Sequence, residues 1–294
     1  MASLTPLCAD TARERGDPMP GTALHVNRFL LVEHPGPWAF DALEAVGAEV
    51  REQLVTATRA TGSRTLLIRR HGRTPVAHEW AWAVADVVGG GIRWGRWRDV
   101  EDLLAARDAL SEPSTDWSGE PAVLVCTHGR HDTCCAIRGR PVAEALAARF
   151  GDQVWECSHV GGDRFAASVV VLPDGTYYGG VDGTDAGDVL QRHLDGTVTP
   201  QRLRGSCLLP PVAQAAAVAA HERYGPGGPR DLRSSGIETV GPGQWRVELN
   251  GSGSLPARIV ASVQARQAAP AVLTCQADRA TSARTFVVTD LQSA

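Results

Sequence analysis

Between residues 126 and 165 the chain gathers side chains able to hold a metal. The strings are Cys126-Thr-His-Gly-Arg-His-Asp-Thr-Cys-Cys135 and Cys157-Ser-His-Val-Gly-Gly-Asp-Arg-Phe165. Four of the seven cysteines and three of the nine histidines fall in this window, an enrichment that argues against chance placement. Thiolate sulfur selects zinc, Cu(I) or iron–sulfur centres, and imidazole suits zinc, copper and iron, so a hard-cation site is not expected. Gly161 and Gly162 let the backbone turn tightly after His159 and approach a bulky inorganic group closely.

The elements around these residues can be read from periodicity. Ala122 to Cys126 has the composition of a buried strand and Gln153 to Cys157 that of a second, so both clusters leave the carboxyl ends of strands. In an α/β sheet those ends share one edge, where ligands bind, and the two clusters can converge there. Arg140 to Phe150 reads as a helix with Pro141 in its first turn. Ser168 to Leu172 and Thr176 to Tyr178 read as a hairpin through Pro173-Asp-Gly175. Residues 185–194 and 209–223 read as covering helices.

Upstream, Arg28 to Glu33, Thr65 to Arg69, Glu79 to Val88 and Ile92 to Trp94 are strand-like. Asp41 to Thr58 and Asp99 to Leu110 carry helical spacing. The division expected is a loose N-terminal arm over 1–21, a smaller α/β unit over 22–112, a polar Pro-containing linker from Ser111, a second α/β domain over 120–224, and a β-rich tail over 231–294. Strands are expected in the tail at Gln244 to Leu249, Ala257 to Ala265, Ala271 to Thr274 and Arg284 to Thr289. No internal repeat is visible in the sequence.

Composition narrows the function. All 29 basic residues are Arg, which excludes a Walker A loop, a pyridoxal phosphate Schiff base and a kinase-type strand lysine. The net charge of −4 gives no global basic field for nucleic acid or anionic lipid. The motifs G-x-S-x-G, G-x-G-x-x-G and H-E-x-x-H are absent. No basic segment followed by an apolar run stands near the start, and no apolar run approaches the ~20 residues of a membrane span, so a cytoplasmic chain without membrane association is expected.

The string Val125-Cys-Thr-His-Gly-Arg-His-Asp-Thr-Cys-Cys-Ala136, with Ser158-His-Val-Gly-Gly-Asp-Arg-Phe-Ala166 and Val171-Leu-Pro-Asp-Gly175, resembles the sucrase/ferredoxin-like family of thioredoxin-like ferredoxins. Leu31-Val-Glu-His-Pro-Gly-Pro-Trp38 adds to the likeness, which covers roughly residues 22–224. The resemblance implies a [2Fe–2S] cluster in a thioredoxin-like domain, held by a C-x8-C pair and an H-x-G-G-H element. Carried over, the ligands are Cys126, Cys135 and His159. Asp163 stands where the pattern has its second histidine, and Cys134 and Cys157 are further candidates for that fourth position. Imidazole in place of thiolate would make the cluster less negative and raise its potential. The function implied is electron transfer with an unidentified redox partner protein, and nothing assigns a stand-alone enzyme activity.

Other readings remain open at this stage. Cys126, His128, Cys135 and His159 would suit a zinc-binding structural domain. Alternatively, Cys126 with the Cys134–Cys135 pair would suit a thiol redox enzyme, although no C-x-x-C is present. No pair of carboxylates is marked out for glycoside hydrolysis. His128 and His131 lie in the ligand loop as tuning or proton-transfer groups. Arg130, Arg138, Arg140 and Arg164 form a local basic group suited to an acidic partner. Cys8, Cys207 and Cys275 are isolated in sequence and read as buried apolar residues. The Trp residues at 80, 82, 94 and 97 read as packing.

Overall fold

A computed structural model describes residues 6–72, 78–115 and 117–293. The chain begins with α1 (Cys8–Arg15), stopped by Gly16 at φ +66°, a left-handed conformation that glycine adopts at little cost. Within the 1–21 segment expected as a loose arm, this helix is docked: Cys8, Ala9 and Ala12 are buried, and α1 lies against the turn at 163–165.

Two runs of elements then follow the same plan. The first is β1 (Arg28–Glu33), α2 (Ala48–Ala60), β2 (Ser63–Arg69), β3 (Trp80–Asp86), β4 (Gly91–Trp97) and α3 (Leu103–Ala109). The second is β5 (Ala122–Cys126), α4 (Thr133–Phe150), β6 (Val154–Cys157), β7 (Val169–Leu172), β8 (Thr176–Tyr178) and α5 (Ala186–Leu194). In each run the first two strands pair in parallel, the third runs antiparallel to the first, and the fourth antiparallel to the third. This is a thioredoxin-like β-α-β-β-β-α unit used twice, a topological repeat that has no counterpart in the sequence.

The second strands of the two runs meet antiparallel at the centre, Ile68 with Cys157 and Arg69 with Glu156. With β9 (Leu203–Ser206) at one edge, the result is one nine-stranded sheet in the order β4-β3-β1-β2-β6-β5-β7-β8-β9. One face carries a core continuous across both runs, with Phe29, Leu31, Leu66 and Ile68 beside Leu124, Trp155, Val170 and Tyr177. On the other face each run is covered by its own helices. Leu30, Val32 and Leu67 meet Leu54 and Leu103, and Val123, Val125 and Val171 meet Val142, Leu146 and Leu190.

The tail is a four-stranded antiparallel meander of β10 (Leu232–Gly241), β11 (Gln244–Gly251), β12 (Arg258–Gln267) and β13 (Arg284–Ser293). The Ala-rich α6 (Pro211–Tyr224) joins it to the large sheet by setting Ala213, Ala216 and Ala220 against Val247, Leu249 and Ile259. The strand expected at Ala271 to Thr274 is not formed. Only Ala271 makes a bridge, to Thr281, and the remainder is an irregular β12–β13 connection containing Cys275. Strands β9 and β10 were not anticipated, because Leu203-Arg-Gly-Ser206 has a buried Arg in place of apolar alternation and β10 is largely exposed and polar.

Candidate metal centre

Cys126 is the last residue of β5, and its amide donates to the Ser168 carbonyl (3.1 Å) while the next amide, Thr127, donates to Cys157 (3.1 Å). The strand end is therefore fixed from both sides. The helix read as starting at Arg140 begins at Thr133, with Asp132 as its cap accepting from the Cys134 amide at 2.8 Å. Its early start was hidden by Pro141, which sits inside the helix rather than at its first turn. Cys135 thus lies in the first turn of an 18-residue helix, among the amides that have no partner within the helix. Gly139, one turn further on, lets the helix press against the strand end, since a Cβ there would overlap the Cys126 carbonyl oxygen.

The second donor segment leaves β6. Ser158 is clamped to β2, its amide donating to the Leu67 carbonyl (2.8 Å) and its hydroxyl accepting from the Leu67 amide (3.0 Å). The His159 amide donates to His128 Nδ1 at 3.3 Å, and the opposite ring nitrogen of His128 bonds the Ala39 carbonyl at 2.7 Å. Both His128 nitrogens are therefore engaged with protein, which removes this residue from the zinc set considered above. Gly161 and Gly162 both have positive φ. Gly162 is required by Arg204 rather than by space for an inorganic group, because a Cβ there would overlap the guanidinium. Arg204 is fully buried and donates to the Gly161 carbonyl (2.9 Å), the Ser168 hydroxyl (3.0 Å) and the Thr22 carbonyl (2.7 Å). Desolvation lowers its pKa to about 10, and it pins the His159–Asp163 turn from beneath.

These supports bring Cys126, Cys135 and His159 together with their donor atoms within 4.8 Å of one another. Asp163 borders the group: its Oδ1 lies 3.4 Å from Cys135 Sγ and 3.0 Å from His159 Nδ1. The ring of His131 stacks on His159 with centroids 3.7 Å apart, and His131, His159 and Asp163 form a second set with donor atoms in mutual reach. Cys157 is fully buried in the apolar core, and Cys134 turns away toward Cys8 and Cys275. Of the three candidates for the fourth position, Asp163 is the one that contacts both Cys135 and His159, while its own donor set is with His131 and His159. The sequence reading also passed over His131 as a donor, Gly139 and Arg204 as supports, and Asp132 as the helix cap.

The four groups share protons unevenly, with negative charge concentrated on Cys126 and Asp163. Hydrogen bonding from Cys135, with help from His159, holds Cys126 well below the usual thiol range, while the Cys135 thiol is pushed up. Burial opposes charge on His159, but Asp163 and Cys126 outweigh it and push its pKa up to about 9. Asp163 is lowered despite its own burial, chiefly by His159. The buried His159 Nδ1 has no aligned hydrogen-bond partner in the protein. Two sulfurs, a buried imidazole and a carboxylate form a set that fits a thiophilic metal or an iron–sulfur cluster.

The first run of elements forms the outer wall. Its loop after β1 stacks Phe40 on His131 (4.8 Å) and sets Trp38 edge-on to His128 (5.7 Å). A cleft of about 480 Å³ lined by Phe40, Arg59, Arg64, His131 and His159 leads from solvent to the imidazole side. Of the expected basic group, Arg138 is paired with Asp10 and Arg164 lies 3.4 Å from Asp17, so both are tied to the N-terminal segment. Trp94 stacks on Trp155 at the sheet surface (5.5 Å), while Trp82 and Trp97 are buried in packing.

Fold and site together define a thioredoxin-like α/β protein with a buried thiol–imidazole–carboxylate centre at its strand ends. The chain belongs to the sucrase/ferredoxin-like family, whose profile it matches over residues 19–205. Among solved structures it is similar to the Cys59Ser variant of the thioredoxin-like [2Fe-2S] ferredoxin from Aquifex aeolicus, with 22% identity and a TM-score of 0.26, over 29% of this chain and 97% of that one. At that score the likeness is no basis for reading the site. Short stretches are similar to chorismate synthases. One from Azoarcus sp. (strain BH72) is 46% identical over 63 residues, 20% of this chain and 16% of that protein. One from Ralstonia pickettii (strain 12J) is 43% identical over 61 residues, again 20% and 16%. The chain thus spans about a sixth of the length of these curated relatives. Among the described residues no helix is long and apolar enough to cross a membrane.

Proposed function

We propose that the chain is an electron-transfer protein whose strand-end centre holds a [2Fe–2S] cluster, with Cys126 and Cys135 as one pair of ligands and His159 and Asp163 as the other. The observation that carries this reading is the convergence of two thiols and an imidazole within 4.8 Å, with Asp163 against both the thiol and the imidazole side. The cluster, when bound, supplies reversible one-electron chemistry. The protein's own part is to fix the donors through the Asp132 cap, the Ser158 clamp and the Arg204 anchor, to keep water from the sulfurs, and to present the imidazoles to solvent. A redox partner protein approaches across the cleft beside Phe40, Arg59 and Arg64, where His131 and His159 lie nearest the surface. A zinc-only structural role is disfavoured by the engaged nitrogens of His128, and a dithiol role by the turning away of Cys134.

Substitution tests the ligand set. Cys126→Ala, Cys135→Ala and His159→Ala should each abolish or strongly alter the visible chromophore of the anaerobically prepared protein, and Cys207→Ala, in the apolar core, should leave it unchanged. Wild-type spectra in the first three variants would overturn the assignment.

A further inference from the structure

A second convergence of thiols lies outside this centre and plays no part in the proposed electron transfer. Cys8 at the start of α1, Cys134 in the first turn of α4 and Cys275 in the β12–β13 connection are separated by 126 and 141 residues along the chain. Their sulfurs nevertheless form a nearly regular triangle: Cys8 to Cys134 3.5 Å, Cys134 to Cys275 3.1 Å and Cys8 to Cys275 3.5 Å. Asp132, fully buried, stands at the fourth side, its two oxygens 3.9 and 3.8 Å from Cys8 Sγ.

Several features distinguish this from incidental burial of cysteine. All seven cysteines are free, and a disulfide joins only two sulfurs, whereas here three are close to equidistant. Two of the sulfurs accept backbone amides, Cys134 from Ala9 (3.4 Å) and Cys275 from Cys8 (3.5 Å). Such N–H···S contacts stabilise and orient sulfur ligands. Asp132 is itself oriented by the amides of Cys134 (2.8 Å) and Cys275 (2.7 Å). The edges of the triangle approach the ~3.8 Å sulfur separation of tetrahedral zinc thiolates with Zn–S of ~2.3 Å.

We infer that Cys8, Cys134 and Cys275, with Asp132 at the fourth position, form a structural site for a single zinc ion. Binding releases the thiol protons and involves no change of oxidation state. The ion ties α1, the start of α4 and the irregular 268–283 connection into one unit, and so links the C-terminal sheet to the ligand loop of the first centre. Gln276 adds to that tie by donating to the Arg130 carbonyl at 2.9 Å. Consecutive residues Cys134 and Cys135 serve two different centres because neighbouring helix positions point about 100° apart.

The site is independent of the iron–sulfur reading, and its test separates the two. Full-length protein prepared under reducing conditions is exposed to Zn2+, desalted and analysed for zinc alongside its visible spectrum. Wild type and Cys207→Ser should retain about one zinc per chain, and Cys8→Ser and Cys275→Ser should lose it at least tenfold in affinity while keeping the wild-type chromophore. Cys275→His should restore binding. A readout without variants is alkylation of the wild-type chain followed by peptide mapping, in which Zn2+ should protect Cys8, Cys134 and Cys275 together. Undiminished zinc in Cys8→Ser and Cys275→Ser, equal alkylation with and without Zn2+, or a zinc-free wild type with a Cys134–Cys275 disulfide would each overturn the assignment.

Discussion

In the proposed ligand set, Asp163 is the residue that sets how the second pair of donors is composed. A carboxylate is a harder and more negative donor than imidazole, so a cluster ligated by Asp163 should have a lower potential than one with two histidines in this pair. Asp163→His is therefore expected to raise the midpoint potential, by on the order of 100 mV in protein-film voltammetry. Asp163→Asn should shift or bleach the chromophore, whereas His131→Ala should preserve it. The reverse pattern would transfer the fourth position to His131, whose ring stacks on His159 and whose donor atom is in reach of both. In the sequence, Asp163 stood out only because the motif predicts a histidine there. The fixed turn behind it depends on Arg204, 41 residues away on a strand that periodicity did not reveal.

Among the elements, α4 carries most of the positioning. Asp132 caps it, Cys134 and Cys135 leave its first turn on different sides, and Gly139 sets its distance from β5. Gly139→Ala should cost about 1–3 kcal/mol, read as a lower urea midpoint, and should speed chromophore loss because the Cys126 strand end must move. Unchanged stability would show that the contact can relax. Helix α6 makes a separate prediction about pH. His221 is buried, its Nδ1 accepts the Gly227 amide at 3.1 Å, and desolvation lowers its pKa to about 4 from 6.5. The unfolded chain therefore binds a proton that the folded chain resists between these values. The stability due to neutral His221 is complete above about pH 6.5 and is lost as pH falls toward 4, on the order of 2–3 kcal/mol in all. Urea unfolding at pH 7.5 and 4.5 should show this loss in wild type and a smaller one in His221→Gln. Equal losses in the two proteins would contradict it.

Over the whole molecule, two thioredoxin-like units share one sheet and only the second carries thiols at its strand end. In the first, Glu33 occupies the position topologically equivalent to Cys126 and accepts the Ala81 amide at 2.7 Å, and the loop that follows covers the second unit's imidazoles. Most strands of the large sheet and the convergence of Cys126, Cys135 and His159 were legible in the sequence, because apolar periodicity and the clustered Cys and His are local signals. The sequence did not show the repeat, since the same topology tolerates unrelated residues. Nor did it show the Cys8–Cys134–Cys275 triangle, whose members are brought together only by the packing of α1 and the C-terminal connection. The most direct test of the central claim is the visible absorption of anaerobically purified, cluster-reconstituted protein, measured with iron and acid-labile sulfide on the same sample. A coloured protein with about two irons and two sulfides per chain is expected. A colourless chain without iron after reconstitution would contradict the electron-transfer reading.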